Sequence, residues 1–229
     1  MKNNALKLPP LHYNPPTDPL NILYQDDDLL VLSKPSGLLS VPGKPLDHRD
    51  CLETRAKAVI PNALLTHRLD METSGVFMMA LNKGAQVHIN RQFEHRKTEK
   101  HYIARVWGHV QDDHGIIDQP LICDWENRPR QKICYAHGRP AQTEWTVLNR
   151  GELSCGNAFT RMLLKPITGR SHQLRVHMEY LEHPILGEVF YAHDDAEHAA
   201  DRLQLHAESL TIYHPTKKEL VTFTDPAPF

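Results

Sequence analysis

No stretch of these 229 residues approaches the ~18–20 consecutive apolar positions of a membrane-spanning helix. The N-terminus also lacks the apolar core and small-residue cleavage site of a secretory leader. Cysteine is scarce. Cys51, Cys123, Cys134 and Cys155 stand far apart with no C-x-x-C pair, which argues against a zinc ribbon or a disulfide framework and fits a reducing cytoplasm. Histidine is plentiful at sixteen, yet H-E-x-x-H is missing and no His/Cys cluster has zinc spacing. The nearest pair, His172 and His177, is five positions apart and would not share a helix face. No metal is expected. The phosphate-loop pattern G-x-x-x-x-G-K-[ST] is also missing, although Lys34-Pro35-Ser36-Gly37 through Pro42-Gly43 is rich in turn residues.

Charge of one sign is lacking too. A net charge of −2 and a pI near 6.8 do not by themselves suggest nucleic acid. The charges are nevertheless segregated. Residues 91–105 carry five Lys/Arg against two acids, while 128–139 and 161–177 each carry four against none. The acids gather at Asp26-Asp27-Asp28, Asp112-Asp113 and Asp194 to Asp201. Such segregation permits a basic face on a nearly neutral protein, and a set of solvated charge runs is the other reading.

A hydrophobic content of 40% with 24% charged residues is ordinary for a globular chain of this length, enough for one well-buried core. Residues 1–20 hold five prolines and few large apolar side chains, and read as an extended arm. Residues 21–229 read as one α+β domain on a mixed, largely antiparallel sheet with flanking helices and a cleft. Ile22-Leu23-Tyr24 and Leu29-Leu30-Val31-Leu32 predict two strands. Asp50 would cap a helix from Cys51 to about Ile60, ended by Pro61. Ala85, Ile89 and Phe93 recur every four residues and predict a helix from Lys83 to about Arg96. Lys100 to Trp107 alternates as a strand, with Tyr102, Ala104 and Val106 on one side. Residues 118–140 read as a polar, irregular middle in which Trp125, Arg128, Arg130 and Lys132 mix aromatic and cation as RNA contacts do, or form a solvated loop. Glu144 to Leu148 and Phe159 to Leu164 read as strands joined by a turn over 149–157. Ser171 would cap a helix carrying Leu174, Met178 and Leu181 on one face, whose start would suit an anion. Pairs of apolar residues at 203 and 205, 210 and 212, and 221 and 223 return strands to the sheet.

One short segment organises the rest: Thr66-His67-Arg68-Leu69-Asp70-Met71-Glu72-Thr73-Ser74-Gly75. It follows Leu64-Leu65 and precedes the apolar run Val76 to Leu81, so Asp70 falls in a turn between two buried segments. An acid held at the lip of a sheet is where a nucleophile or general base would sit. An aspartate in a turn that only bonds its own backbone is the other reading.

His67-Arg68-Leu69-Asp70-x-x-Thr73-Ser74-Gly75 resembles the catalytic motif of the RNA pseudouridine synthases that modify large-subunit ribosomal RNA. Further stretches match that family in order: Lys34 to Leu38, Lys100 to Val106, Thr168 to His177, His183 to Gly187, and Leu205-His206-Ala207 with His214-Pro215. The resemblance implies the family's catalytic fold with a central RNA-binding cleft, here without an added S4 domain, and an isomerisation that needs no cofactor. It implies Asp70 as the required carboxylate, which attacks the ribose carbon or helps strip its neighbouring proton. It implies Tyr102 as the aromatic group that stacks on the base and handles a proton, and Arg175 as the guanidinium pairing with Asp70. Leu174 would wall the base, Arg68 would enter the space left by a flipped uridine, and His67 and Arg170 would be further substrate-binding residues. The chain looks most like the dual-specificity branch, which acts on 23S ribosomal RNA and on a tRNA anticodon stem-loop, and a monomer is expected. The alternatives are a non-catalytic RNA-binding module on the same fold, or a nucleosidase using Asp70 with Glu72.

Overall fold

In a computed structural model, residues 13–229 are described; the greater part of the expected N-terminal arm, residues 1–12, lies outside them, and residues 13–20 have no helix or strand. The strands are β1 (Asn21–Gln25), β2 (Leu29–Lys34), β3 (Leu64–Leu65), β4 (Ser74–Ala80), β5 (Glu99–Trp107), β6 (His114–Asp118), β7 (Leu121–Cys123), β8 (Gln131–Ile133), β9 (Gln142–Glu152), β10 (Ala158–Pro166), β11 (Leu205–Tyr213) and β12 (Leu220–Thr224). The α-helices are α1 (Leu52–Val59), α2 (Lys83–Glu94), α3 (Gln173–Tyr180) and the single turn α4 (Asp194–Glu197). These elements form two compact units, one of residues 14–104 with 202–229 and the other of residues 105–201 with Tyr13.

In the first unit β1, β2, β4, β11 and β5 lie side by side in that order, with β3 added to β4 and β12 to β11. All these pairs are antiparallel except β4 and β11, which run parallel over two residue pairs. The apolar runs of β2 and β4 are continuous because both faces of these strands are covered. Leu30, Leu32, Phe77 and Met79 point to a core closed by Leu52 and Ala56 of α1. Leu29, Val31, Val76, Met78 and Ala80 point the other way, onto Ala85 and Ile89 of α2. Each of these strand residues is at most 2% exposed, and full burial of one such side chain contributes roughly 1.5–3 kcal/mol.

The second unit pairs β10, β9 and β6 antiparallel and adds the β7–β8 hairpin. Its apolar cluster joins Leu121, Ala141, Val176 of α3 and Tyr191, with Ile133 and Phe190 packed against it. The mixed, largely antiparallel α+β class expected from the pattern is what the chain adopts.

Several local expectations are corrected. Cys51, not Asp50, caps α1: its Sγ accepts the Thr54 N–H while Thr54 Oγ1 accepts the Cys51 N–H. Asp50 is drawn off by Arg55, which grips both carboxylate oxygens at 2.7 Å. His172, not Ser171, precedes α3, in the left-handed region at φ 52° and with no side-chain cap. The middle stretch is not irregular throughout, since β7 and β8 form a hairpin within it. The turn over 149–157 is shorter than expected, because β9 continues to Glu152 and β10 begins at Ala158.

Candidate active site

The Asp70 turn is held by its backbone. Five successive carbonyls from Leu69 to Thr73 each accept a hydrogen bond, and four of them are reached from the last residue of β2 and the loop that follows it. Ser40 Oγ donates to Leu69 O at 2.6 Å, and the Thr73 N–H to Asp70 O at 3.2 Å. The Gly37 N–H and Lys34 Nζ both donate to Met71 O, at 3.0 and 2.8 Å. Ser36 Oγ donates to Glu72 O at 2.7 Å, and Lys34 Nζ to Thr73 O at 2.8 Å. Leu69, nearly buried, packs into the first core beside Leu38 and Phe77, with Tyr102 against the same cluster.

Lys34 is the residue that sequence reasoning left without a role. Its side chain is 0% exposed, and its third acceptor is Pro35 O at 2.9 Å. Burial pushes its pKa down to about 7, the Arg202 charge lowers it further, and the Glu72 and Asp70 carboxylates work against both. A lysine ending the apolar run Leu29 to Leu32 was the available signal, for a cation there must find acceptors.

The turn leads into β4 at Ser74 and Gly75, where β4 comes close against β11. Gly75 has φ +111°, and a Cβ on it would stand 2.3 Å from Ala207 O, so only glycine fits. Across the strands Gly75 pairs with Ala207 and Ala207 with Tyr102, which puts Tyr102 two strand spacings, ~10 Å, from the end of the Asp70 turn. Burial raises the Tyr102 pKa above its ordinary value and the negative charge of Asp70 raises it further. Tyr102 is therefore a phenol, a proton donor, at neutral pH. His67 faces inward: its Nε2 accepts the Met78 N–H at 2.9 Å and its ring stacks on Phe77 at 4.7 Å. Burial, helped by the Lys100 charge, pushes its pKa down to about 3, so the ring is neutral. Arg68 is exposed and makes no hydrogen bond or ion pair among the described residues.

The other expected residues belong to the second unit. Arg175 is 2% exposed, and its Nε and Nη2 both meet Glu188 at 2.5 Å. Its guanidinium lies over the rings of Phe190 at 5.1 Å and Tyr191 at 5.6 Å. Glu188, also fully buried, takes the Phe190 N–H at 2.8 Å as well. A buried carboxylate so paired orients an arginine more than it stabilises the fold. Glu188 was missed by sequence reasoning; its signal is an acid after the apolar His183-Pro184-Ile185-Leu186-Gly187. Leu174 is buried beside it in α3, and Arg170 donates from Nε to Pro140 O at 3.1 Å. The structure thus gathers His67, Arg68, Asp70 and Tyr102 in one unit and Arg170, Leu174 and Arg175 in the other.

Among the described residues no group of three or more His, Cys, Asp or Glu is placed to hold a metal ion, and no helix is long and apolar enough to cross a membrane. What the first unit offers chemically is a carboxylate on a turn held by its backbone, a protonated phenol within its field and an exposed guanidinium nearby in the chain. Proton transfer and charge stabilisation need no more.

A family model described as RNA pseudouridylate synthase matches residues 28–180. The dual-specificity RNA pseudouridine synthase RluA of Escherichia coli (strain K12) is 55% identical over 219 residues, which span 95% of this chain and 98% of that protein. The protein of the same name from Vibrio vulnificus (strain CMCP6) is 50% identical over 220 residues, 96% of this chain and 88% of its own. Among solved structures, Human RNA Pseudouridylate Synthase Domain Containing 1 aligns with a TM-score of 0.77 at 34% identity, over 92% of this chain and 84% of that one.

Proposed function

We infer the function from one premise: this chain belongs to the RNA pseudouridylate synthase family. It is an RNA pseudouridine synthase, an isomerase. We propose that its targets are uridines in structured loops of two RNAs, 23S ribosomal RNA and tRNA anticodon stem-loops. What supports this is the dual specificity in the names of relatives that match nearly end to end. Targets of this kind are read by shape and by splayed bases rather than along a duplex.

The reaction breaks the glycosidic bond between N1 of uracil and the ribose carbon, turns the base in place, and joins C5 to the same carbon. C5 gives up a proton and N1 gains one, so no atom is added and no electron leaves. In this reading Asp70 attacks the ribose carbon or takes the proton beside it, and both need the ionised carboxylate. Tyr102 stacks on the base and relays the proton, its hydroxyl entering the reaction protonated because burial raises its pKa. Arg175, Leu174, Arg170 and His67 keep the parts the family pattern gives them. The observation that carries the reading is the rigid Asp70 turn, with five backbone carbonyls satisfied and its charge felt at the Tyr102 phenol. Mapping pseudouridines in ribosomal RNA and tRNA from cells with and without the gene tests it. A modified uridine should vanish from each RNA class in the deletion, and unchanged maps would sink the proposal.

A stacked uridine cannot reach Asp70, and flipping it costs a few kcal/mol. Exposed Arg68, two residues before Asp70, is the group we assign to the vacated space. Arg68→Ala is expected to slow turnover roughly tenfold on a folded stem-loop and much less on a flexible oligonucleotide, since about 1.4 kcal/mol of the flipping cost is no longer offset. Equal losses on both RNAs, measured by release of tritium from C5, would remove Arg68 from that role.

A further inference from the structure

Arg202 stands three residues before β11, and nothing in the family pattern above gives it a part. Its Nη1 donates to Ser74 Oγ at 2.9 Å, and its guanidinium lies 5.2 Å from the centre of the Phe229 ring. The bond to Ser74 ends a chain whose direction is fixed at its far end. Asp225 O can only accept, so His206 Nε2, 2.7 Å away, is the donor. Burial lowers the His206 pKa against the pull of Asp225 and Glu208, with the Arg202 charge acting in the same direction as burial, so the ring is neutral and its Nδ1 accepts. Ser74 therefore gives its proton to Nδ1 at 2.9 Å and receives Arg202 on its oxygen.

One edge and one face of the guanidinium are thereby fixed. Among the described residues only one of its five N–H groups finds an acceptor, the side chain is half-buried, and none of its nitrogens is buried without a partner, so the unused N–H groups remain within reach of solvent. Glu72, on the Asp70 turn, acts on it through charge but makes no ion pair with it. Ser74 is four residues from Asp70, so its Cα lies no more than ~14 Å from that of Asp70. An arginine immobilised on one edge, open on the other and placed beside a reacting turn is a preorganised fork for a planar oxyanion.

We propose that the open edge of Arg202 binds a phosphodiester of the RNA backbone next to the flipped uridine. Ser74, His206 and Asp225 act through it as positioning residues. The inference rests on the reading that the chain acts on RNA, and it names where the backbone beside the target is gripped.

The probe is an anticodon stem-loop oligonucleotide with cytidine at the target position, so that binding is measured without turnover. Arg202→Met is expected to weaken binding roughly tenfold, the loss of one charge-assisted contact. It should also flatten the slope of log affinity against log salt by about 0.7–0.9, one phosphate's worth. Arg202→Lys, which keeps charge without the fork, should keep the slope and lose roughly threefold in affinity. An unchanged slope for Arg202→Met overturns the proposal, as does a fall in melting temperature with affinity intact, which would make Arg202 only a brace for the turn. Should that variant not fold, single methylphosphonate linkages decide with the unmodified protein. One neutral linkage within two nucleotides of the target should cost roughly tenfold in affinity and much less with Arg202→Lys; no sensitive linkage there overturns the proposal. The uridine-bearing oligonucleotide is run in parallel. If it yields no pseudouridine while the Arg202-dependent salt slope holds, the isomerase reading fails and the phosphate contact stands.

Discussion

Replacing the Asp70 carboxylate with its neutral isostere, Asp70→Asn, is expected to slow pseudouridine formation at least about 10³-fold while RNA affinity stays within about threefold. The separation follows from how the turn is built. Leu69 to Thr73 are held through main-chain carbonyls by Ser40, Gly37, Lys34 and Ser36, and Leu69 is sunk in the core. The amide can therefore take the place of the carboxylate with the backbone unmoved. What is lost is the charge that both chemical roles require. Affinity is expected to rest on phosphate contacts, which the amide leaves untouched. Asp70→Glu tests placement against charge: one added methylene displaces the carboxylate by about 1 Å, which costs of the order of 10² in a positioned reaction. Single-turnover rates with tritium release, together with filter binding on the same RNA, give both quantities. Turnover of Asp70→Asn within tenfold of the parent would show that the carboxylate is not the reacting group, and stoichiometric free uracil from the parent would favour a hydrolase.

Much of the scaffold around this turn could be read in advance, for a physical reason. From Val76 on, β4 is apolar without interruption because Phe77 and Met79 enter one core and Val76, Met78 and Ala80 the other. The stripe of Ala85 and Ile89 in α2 is the same rule at helical period. Caps were harder, because a cap is a competition. Asp50 is the better N-cap by type, but Arg55 offers it a two-bond ion pair, and Cys51 with Thr54 takes the helix start instead. His172 enters the left-handed region where its Nδ1 meets the Tyr191 hydroxyl at 2.7 Å, a partner 19 residues away. Within the candidate site, Asp70 and Tyr102, the residues proposed for the chemistry, come from a motif. The parts played by Lys34 and Glu188 were not legible. The carbonyls that satisfy Lys34 in the Asp70 turn are 37 and 39 residues distant, and main-chain acceptors leave no mark on side-chain pattern. Glu188 meets Arg175 across 13 residues of loop and helix, a spacing with no period to betray it.

Lys34→Met is expected to destabilise the fold by about 3–5 kcal/mol, since it keeps the length and the apolar stem but removes the donor that serves three carbonyls, of which Met71 O keeps only the Gly37 N–H. For a chain of this size that lowers the melting temperature by roughly 10 °C. Ser36, Gly37 and Ser40 still hold the turn, so turnover well below the transition should survive, in contrast to Asp70→Asn. The pH dependence separates this from ordinary core damage. Three acceptors call for three N–H groups, which only the ammonium supplies, yet burial pulls the folded pKa to about 7 from 10.5. Between those values the unfolded chain binds the Lys34 proton and the folded chain has released it. Stability from this group therefore rises with pH across that window, and below pH 7 the folded state bears the whole cost of a buried charge. The methionine variant has no such proton. The melting temperature of the parent relative to the variant should thus climb between pH 7 and pH 9.5. A gap that is flat across that range would mean that Lys34 keeps its proton in the fold, and a variant that melts within about 2 °C of the parent at every pH would mean that Lys34 is not what ties the Asp70 turn to the sheet.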